Sequence, residues 1–161
     1  MAEENKKIAI QDCYGEKFQY CWGCGPKNME GLHLHSYPRE DGKECICEFR
    51  PEKHYTGGVP ENLYGGMIAM AFDCHGTASA AWFNHYNKGF VLKEDTIIGR
   101  FVTARLEIDF KKPIPINEII RVRSRPEEIT ERKVIVNMEM EVDGKIHAKA
   151  RMVAVAVKDD M

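Results

Sequence analysis

The sequence predicts an α+β domain in which an antiparallel sheet curls around one long helix. Residues 65 to about 86 form the long helical segment, and apolar side chains surround it almost completely, which is typical of a helix buried on most sides. The last third of the chain alternates between apolar and polar side chains, as strands with one dry and one wet face do. Two short alternating segments precede the helix, so the predicted order is two strands, one helix and four strands.

Length and composition favour a single folded domain. The chain has 161 residues, of which 43% are hydrophobic and 30% are charged, a balance that argues against disorder. We predict an N-terminal tail over residues 1–17 and one domain over residues 18–161.

Turn residues separate the predicted strands. Segments 32–38 and 44–49 form a hairpin around residues 40–42, and Asp143-Gly144 joins the last two strands. The four later strands are expected near 103–110, 118–125, 134–142 and 146–152. On the first of these, Ala104, Leu106 and Ile108 are expected on the dry face and Thr103 on the wet face. Because such a sheet has two exposed edges, edge-to-edge dimerisation is expected.

Charge and hydropathy exclude several classes of function. The formal net charge is −2, so nothing draws the whole chain to nucleic acid. The longest apolar stretch contains Asp73 and His75, which argues against a membrane span. The start of the chain lacks the pattern of a secretory signal, so we expect a cytoplasmic protein with free thiols.

Two features of the predicted helix suggest catalysis. Asp73 lies among apolar neighbours, so we expect a buried carboxylate acting as a general base or nucleophile; a structural Asp bonded to His75 or Thr77 is the alternative. Gly65 and Gly66 open the helix and leave N–H groups free to polarise a carbonyl, unless they only shape the junction. Gly66 and Asp73 are seven residues, or roughly 10 Å, apart along the helix axis. A site using both therefore needs two antiparallel helices across a dimer interface.

Basic residues and cysteines form two further patterns. The basic residues could gather at one rim of the sheet and hold phosphates, or they could be solvated strand ends; they are Lys111, Lys112, Arg121, Arg123, Arg125, Arg132 and Lys133. Cys21-x-x-Cys24 precedes Cys45-x-Cys47, an imperfect match to a zinc site, and a redox pair lacks its usual βα context. Packed free thiols are favoured, and no metal is predicted.

Three segments in order resemble the hotdog-fold acyl-CoA thioesterases of the phenylacetyl-CoA thioesterase-like group. CWGCGPKNMEGLHL resembles that group's CFGCGxxNPxGLxL opening, YGGMIAMAFDCHGTASA its HGGxxxxxxD segment, and VTARLEIDFKKPIP its strand ending in Pro-x-Pro. The similarity covers roughly residues 18–157 and implies a hotdog fold.

The resemblance also implies roles for particular residues. Asp73 corresponds to the catalytic carboxylate, Gly66 would offer its N–H to the thioester carbonyl, and Thr103 would help to orient water. Tyr64 stands where the family carries histidine. The predicted substrate and coenzyme A contacts are Gly65, Asp109, Phe110, Lys111, Lys112, Arg121, Arg132 and Lys133. Of these, the resemblance implies Lys111 with Lys112 and Arg132 with Lys133, which match two basic pairs of the family.

The expected function is hydrolysis of a small or medium acyl-CoA by a homodimer or a dimer of dimers. Coenzyme A is part of the substrate, and no separate cofactor is expected. Three alternatives stay open: a hydroxyacyl-thioester dehydratase, a non-catalytic acyl-CoA- or lipid-binding dimer, and a zinc-stabilised interaction module.

Overall fold

The computed structural model describes residues 7–39 and 41–158 and confirms the α+β architecture. The strands and the helix, in chain order, are β1 (Ser36–Pro38), β2 (Cys45–Phe49), α1 (Gly65–Asn87), β3 (Phe101–Phe110), β4 (Ile120–Ile129), β5 (Lys133–Val142) and β6 (Lys145–Ala156). They form a six-stranded antiparallel sheet in the order β1-β2-β4-β5-β6-β3. The predicted sequence of two strands, one helix and four strands is therefore confirmed.

The sheet packs its apolar face against α1, and this contact forms the core. Val134, Val136 and Met138 on β5 and Ala148 and Met152 on β6 are buried there. Gly76 lets the helix approach closely, because a Cβ at this position would lie 2.5 Å from Met152 Cε and 2.9 Å from Met138 Cε. No helix within the described ranges has the length and apolar character needed to cross a membrane.

The turn between β5 and β6 has the backbone expected from its sequence. Asp143 and Gly144 have φ angles of 51° and 75°, the left-handed values that a tight two-residue hairpin requires.

The N-terminal segment belongs to the core, so the predicted tail over residues 1–17 is wrong where the structure describes it. Short 3₁₀ helices span Ile10–Cys13 and Glu16–Phe18. Ile10 and Tyr14 are buried, and Ile98 donates its N–H to the carbonyl of Cys13 at 2.8 Å. The few apolar residues of this segment are irregularly spaced, so their burial could not be predicted from hydrophobic periodicity. Residues 1–6 lie outside the described residues.

A β-bulge at Ala104 changes which face of β3 each side chain occupies. Thr103 pairs with Ala154, whereas Arg105 pairs with the adjacent Val153, so Ala104 is the extra residue. The wet-face prediction for Thr103 is therefore wrong, because the bulge reverses the alternation and turns its side chain toward α1. Leu106 and Ile108 keep the predicted face.

Candidate active site

One stripe of α1 remains open to solvent, and it carries the candidate catalytic groups. Between Gly65 and Asn84, the positions that are not buried are Gly65, Gly66, Ala69, Met70 and Asp73. These positions recur at helical spacing, so they form a single face of the helix. The predicted burial of Asp73 is wrong: its side chain is exposed in the single chain, because β3 is the edge of the sheet and no described element covers this face.

Thr103 holds the carboxylate of Asp73. Its hydroxyl lies 2.5 Å from Asp73 Oδ1, to which it donates a hydrogen bond. The bulge at Ala104 makes this contact possible. The Thr77 hydroxyl bonds the main-chain carbonyl of Asp73 at 3.1 Å, not its carboxylate. No described residue bonds the second carboxylate oxygen, which is therefore available to a water molecule or a substrate.

His75 points away from Asp73 into a buried network, so the two residues form no catalytic pair. Its Nε2 donates to the carbonyl of Cys45 at 3.3 Å, which leaves Nδ1 to accept from Ser36 Oγ at 2.8 Å. Ser36 in turn accepts from Gln11 Nε2 at 3.0 Å. Burial lowers the pKa of His75 to about 4, so the imidazole is neutral at physiological pH.

The start of α1 presents free N–H groups beside two aromatic rings. The N–H groups of Gly65 and Gly66 have no hydrogen-bond acceptor among the described residues, whereas that of Met67 bonds the carbonyl of Tyr64. Tyr64 is 56% exposed, and its ring lies over Gly66, where a Cβ would overlap it. The Phe110 ring approaches Gly65, with 3.7 Å between its Cε1 and the place of a Gly65 Cβ. The helix dipole adds partial positive charge, so this corner suits a polarised carbonyl oxygen.

The basic residues do not share one rim of the sheet within a single chain, so the first of the two possibilities raised by the sequence does not hold there. Lys111 and Lys112 follow β3 and bond the carbonyl of His147, at the end of the sheet nearest Gly65. Arg132 and Lys133 lie at the opposite end, where β5 begins beside the end of β6.

Two other predicted contact residues lie away from the helix. Arg121 is on β4, three strands from β3, and its Nε bonds Glu48 Oε1 at 2.7 Å. Asp109 pairs with Lys149 on the outer face of the sheet and is exposed. Neither lies beside the open stripe of α1 within one chain.

Arg132 lines a basic cleft near the C-terminal end of α1. Lys88, Arg100 and Lys158 share its lining with Glu131. Positive charge therefore collects here as well as at Lys111 and Lys112.

The cysteines associate differently from the pattern considered in the sequence. Within the described residues, the thiols of Cys21, Cys24 and Cys74 lie close enough together to hold one metal ion. Cys45 and Cys47 lie on β2, outside this group. The sequence does not place Cys74 in this group, because Cys74 has no cysteine near it in sequence and its contact with Cys21 spans 53 residues.

The fold and the open helix face together define a hotdog-type domain with a candidate reaction site on its central helix. Residues 61–148 match the family model of the thioesterase superfamily, and the chain belongs to this superfamily.

Similar proteins agree with this membership. The chain is 30% identical over 120 residues to acyl-coenzyme A thioesterase THEM4 of Rattus norvegicus, a match covering 73% of this chain and 45% of that protein. A crystal structure of a thioesterase superfamily protein from Shewanella loihica PV-4 superposes with a TM-score of 0.64 at 33% identity, covering 79% of this chain and 93% of the other. The chain spans less than half the length of the curated relatives it matches.

The PaaI protein of the Escherichia coli phenylacetic acid degradation operon shares the fold. Its TM-score is 0.63 at 12% identity, and the match covers 79% of this chain and 81% of the other. The expected hotdog fold and family resemblance are confirmed.

Proposed function

We propose that the protein is an acyl-CoA thioesterase that hydrolyses a small or medium acyl-CoA. The observation that carries the proposal is the open stripe of α1, which exposes a free N–H at Gly66 and a carboxylate at Asp73. The rat relative is named an acyl-coenzyme A thioesterase, in agreement with this assignment.

The groups on this stripe suit hydrolysis of a thioester. The Gly66 N–H polarises the carbonyl and stabilises the negative charge that develops on its oxygen. Asp73, oriented by Thr103, takes a proton from water as the water oxygen bonds to the acyl carbon. The C–S bond then breaks, the sulfur takes up the proton held by Asp73, and coenzyme A leaves as a thiol. Direct attack by Asp73 through an acyl anhydride is the other route open to the same carboxylate. In both routes, Thr103 positions the carboxylate of Asp73 and does not act on the water alone.

The spacing of these groups favours an active site shared between two chains. Gly66 and Asp73 are seven residues apart, roughly 10 Å along α1, so one acyl carbon does not reach both on the same helix. β3 is a ten-residue edge strand with no neighbour on its outer side among the described elements. Pairing two copies of β3 around a two-fold axis would set their helices antiparallel, and Gly66 of one chain would then face Asp73 of the other.

The same pairing accounts for the separated basic residues. In an antiparallel β3 pair, the Phe110 end of one chain lies beside the Phe101 end of its partner. Lys111 and Lys112 would thus share one side of the dimer with the partner's cleft that contains Arg132. We infer that these groups hold the phosphates of coenzyme A, and that Ala69 and Met70 contact the acyl group between the two helices.

Thiol release tests the proposed activity. Wild type, Asp73→Asn and the control Asp95→Asn are assayed with a panel of short, long and aromatic acyl-CoAs. Asp95 is an exposed carboxylate in the loop before β3. We expect turnover of at least one substrate and a loss of about a hundredfold or more in Asp73→Asn alone, since a general base contributes that much.

Two results would contradict the proposal. Equal rates in wild type and Asp73→Asn would remove the carboxylate from the mechanism. Binding of the acyl-CoAs without thiol release in wild type would favour a non-catalytic binding dimer. For the attack itself, a single turnover in ¹⁸O-labelled water distinguishes the routes. Water attack puts one labelled oxygen into the product acid, whereas direct attack followed by hydrolysis at the Asp73 carbonyl leaves the acid unlabelled and places the label on Asp73.

A further inference from the structure

Three cysteine thiols from distant parts of the chain meet beside the middle of α1. Cys21 and Cys24 lie in a turn of the N-terminal segment, and Cys74 is on the helix. The three Sγ atoms all lie within 4.8 Å of one another, and those of Cys21 and Cys74 are 3.9 Å apart.

The turn is shaped so that both of its sulfur atoms face Cys74. The N–H of Gly25 donates to the carbonyl of Cys21 at 2.7 Å, which closes the turn. A Cβ at Gly25 would strike the backbone of Gln19 and Cys21, and a Cβ at Gly23 would lie 2.5 Å from Cys74 Sγ. The two glycines therefore allow the turn to close and to lie directly on the helix.

The sulfur spacing suits a tetrahedral metal ion. With Zn–S bonds of about 2.3 Å, two sulfur ligands of a tetrahedral zinc stand about 3.8 Å apart. The distance between Cys21 and Cys74 is close to this value. Three thiolates are ligands that select soft cations over Mg²⁺ or Ca²⁺. Cys21 is partly exposed, which leaves an approach for the ion and room for a fourth ligand.

The surroundings provide further complementarity. Met70 Sδ and Cys74 Sγ both lie within 3 Å of the point where a Gly23 Cβ would stand, so a thioether is at the rim of the cluster. Arg100 lies over the Tyr14 ring at 4.7 Å, and its Nη1 is buried without a hydrogen-bond partner. Three thiolates around Zn²⁺ carry one net negative charge, which this half-buried guanidinium would offset, since it is near enough to Cys24 to act on it electrostatically.

We propose that Cys21, Cys24 and Cys74 bind a zinc ion that clamps the N-terminal segment to α1, one residue after Asp73. Zinc binding replaces the protons of the thiols and releases them to solvent.

Metal analysis of the purified full chain tests the site. Wild type, Cys21→Ser, Cys74→Ser and the control Cys13→Ser are kept reduced, loaded with zinc, freed of excess metal and analysed by elemental mass spectrometry. Cys13 is a buried free thiol outside the cluster, so its replacement checks for non-specific thiol effects. We expect one zinc per chain in wild type and in Cys13→Ser, and loss of stoichiometric zinc in the other two variants.

Cobalt substitution reports on the ligands themselves. Wild type loaded with Co²⁺ should show thiolate-to-cobalt charge transfer and the visible bands of a tetrahedral ion. Cys21→Ser replaces a partly exposed residue and is expected to fold; any cobalt it retains should show charge transfer reduced by about one third, with two thiolates instead of three. Wild-type protein that retains no zinc, or equal zinc in all four chains, overturns the proposal. Neither readout depends on thioesterase activity, so the zinc site and the proposed function can fail separately.

Discussion

Acidification should destabilise the protein through His75. Its imidazole is 1% exposed and is held neutral between Ser36 and the carbonyl of Cys45. Protonation would put a charge in the core and would remove the acceptor at Nδ1. In the unfolded chain the same group titrates near its ordinary pKa of 6.5, whereas burial lowers the pKa in the fold to about 4.

The size of the effect follows from the two pKa values. Between pH 6.5 and pH 4 the unfolded chain binds a proton that the folded chain refuses, so stability is lost as the pH falls through this window. The free energy of unfolding should drop by about 2 kcal/mol between pH 7 and pH 5 from this residue alone. That is a substantial part of the stability of a typical domain.

Urea unfolding at both pH values measures the drop in wild type and in His75→Gln. A glutamine amide can keep a donor near the Cys45 carbonyl but does not titrate. We expect the variant to be less stable at pH 7 and to lose about 2 kcal/mol less than wild type on acidification. Contributions from other groups, including any bound zinc, are common to both chains and cancel in the difference.

Two outcomes would refute this reasoning. One is an equal loss of stability in wild type and variant. The other is direct: nuclear magnetic resonance of the folded wild type showing that His75 takes up a proton near pH 6.5. The second measurement needs no variant, so it applies even if His75→Gln fails to fold.

Three further predictions concern the proposed reaction. Thr103→Val removes the hydrogen bond to Asp73, so kcat should fall about tenfold with little change in KM, whereas Thr103→Ser should keep most of the wild-type rate. Equal rates in wild type and Thr103→Val would show that the bond does not position the carboxylate. Gly66→Ala places a methyl group where the Tyr64 ring lies, so kcat should fall by about tenfold, and adding Tyr64→Ala should restore most of it; no recovery would mean that the helix start itself has moved. Lys111→Gln should raise KM for acyl-CoA about tenfold and weaken the salt dependence of KM. The control Lys43→Gln, at an exposed lysine between β1 and β2, should do neither. Identical KM values in wild type and Lys111→Gln would exclude Lys111 from coenzyme A binding.

The secondary structure could be predicted because it depends on local spacing. The near-continuous apolar run around α1 and the alternation in β5 and β6 are visible over a few residues, and the structure confirms all three elements. The Asp143-Gly144 turn is equally local, because its left-handed backbone angles are a property of those two residues.

The environment of Asp73 could not be predicted in the same way. Its sequence neighbours are apolar, but burial depends on which helix face the sheet covers. The sheet ends at β3, which leaves the Gly66–Asp73 face open. The orientation of Thr103 was missed for a related reason: a bulge inserts one residue into a regular alternation without a distinctive residue type to reveal it. Both corrections concern the side of the domain where we propose that a second copy binds.

Three consecutive residues of α1 explain why the N-terminal segment matters to the site. Successive helical positions differ by about 100° in direction, so Asp73, Cys74 and His75 point to three different surroundings. Asp73 meets Thr103 on β3, Cys74 meets the turn that contains Cys21, and His75 joins the network of Ser36. The family match begins at residue 61, yet two of these three contacts are made by residues before it. The turn with Cys21 and strand β1 therefore fix the middle of the helix from two sides, and the carboxylate stands on the third side, where among the described elements the edge strand β3 holds it.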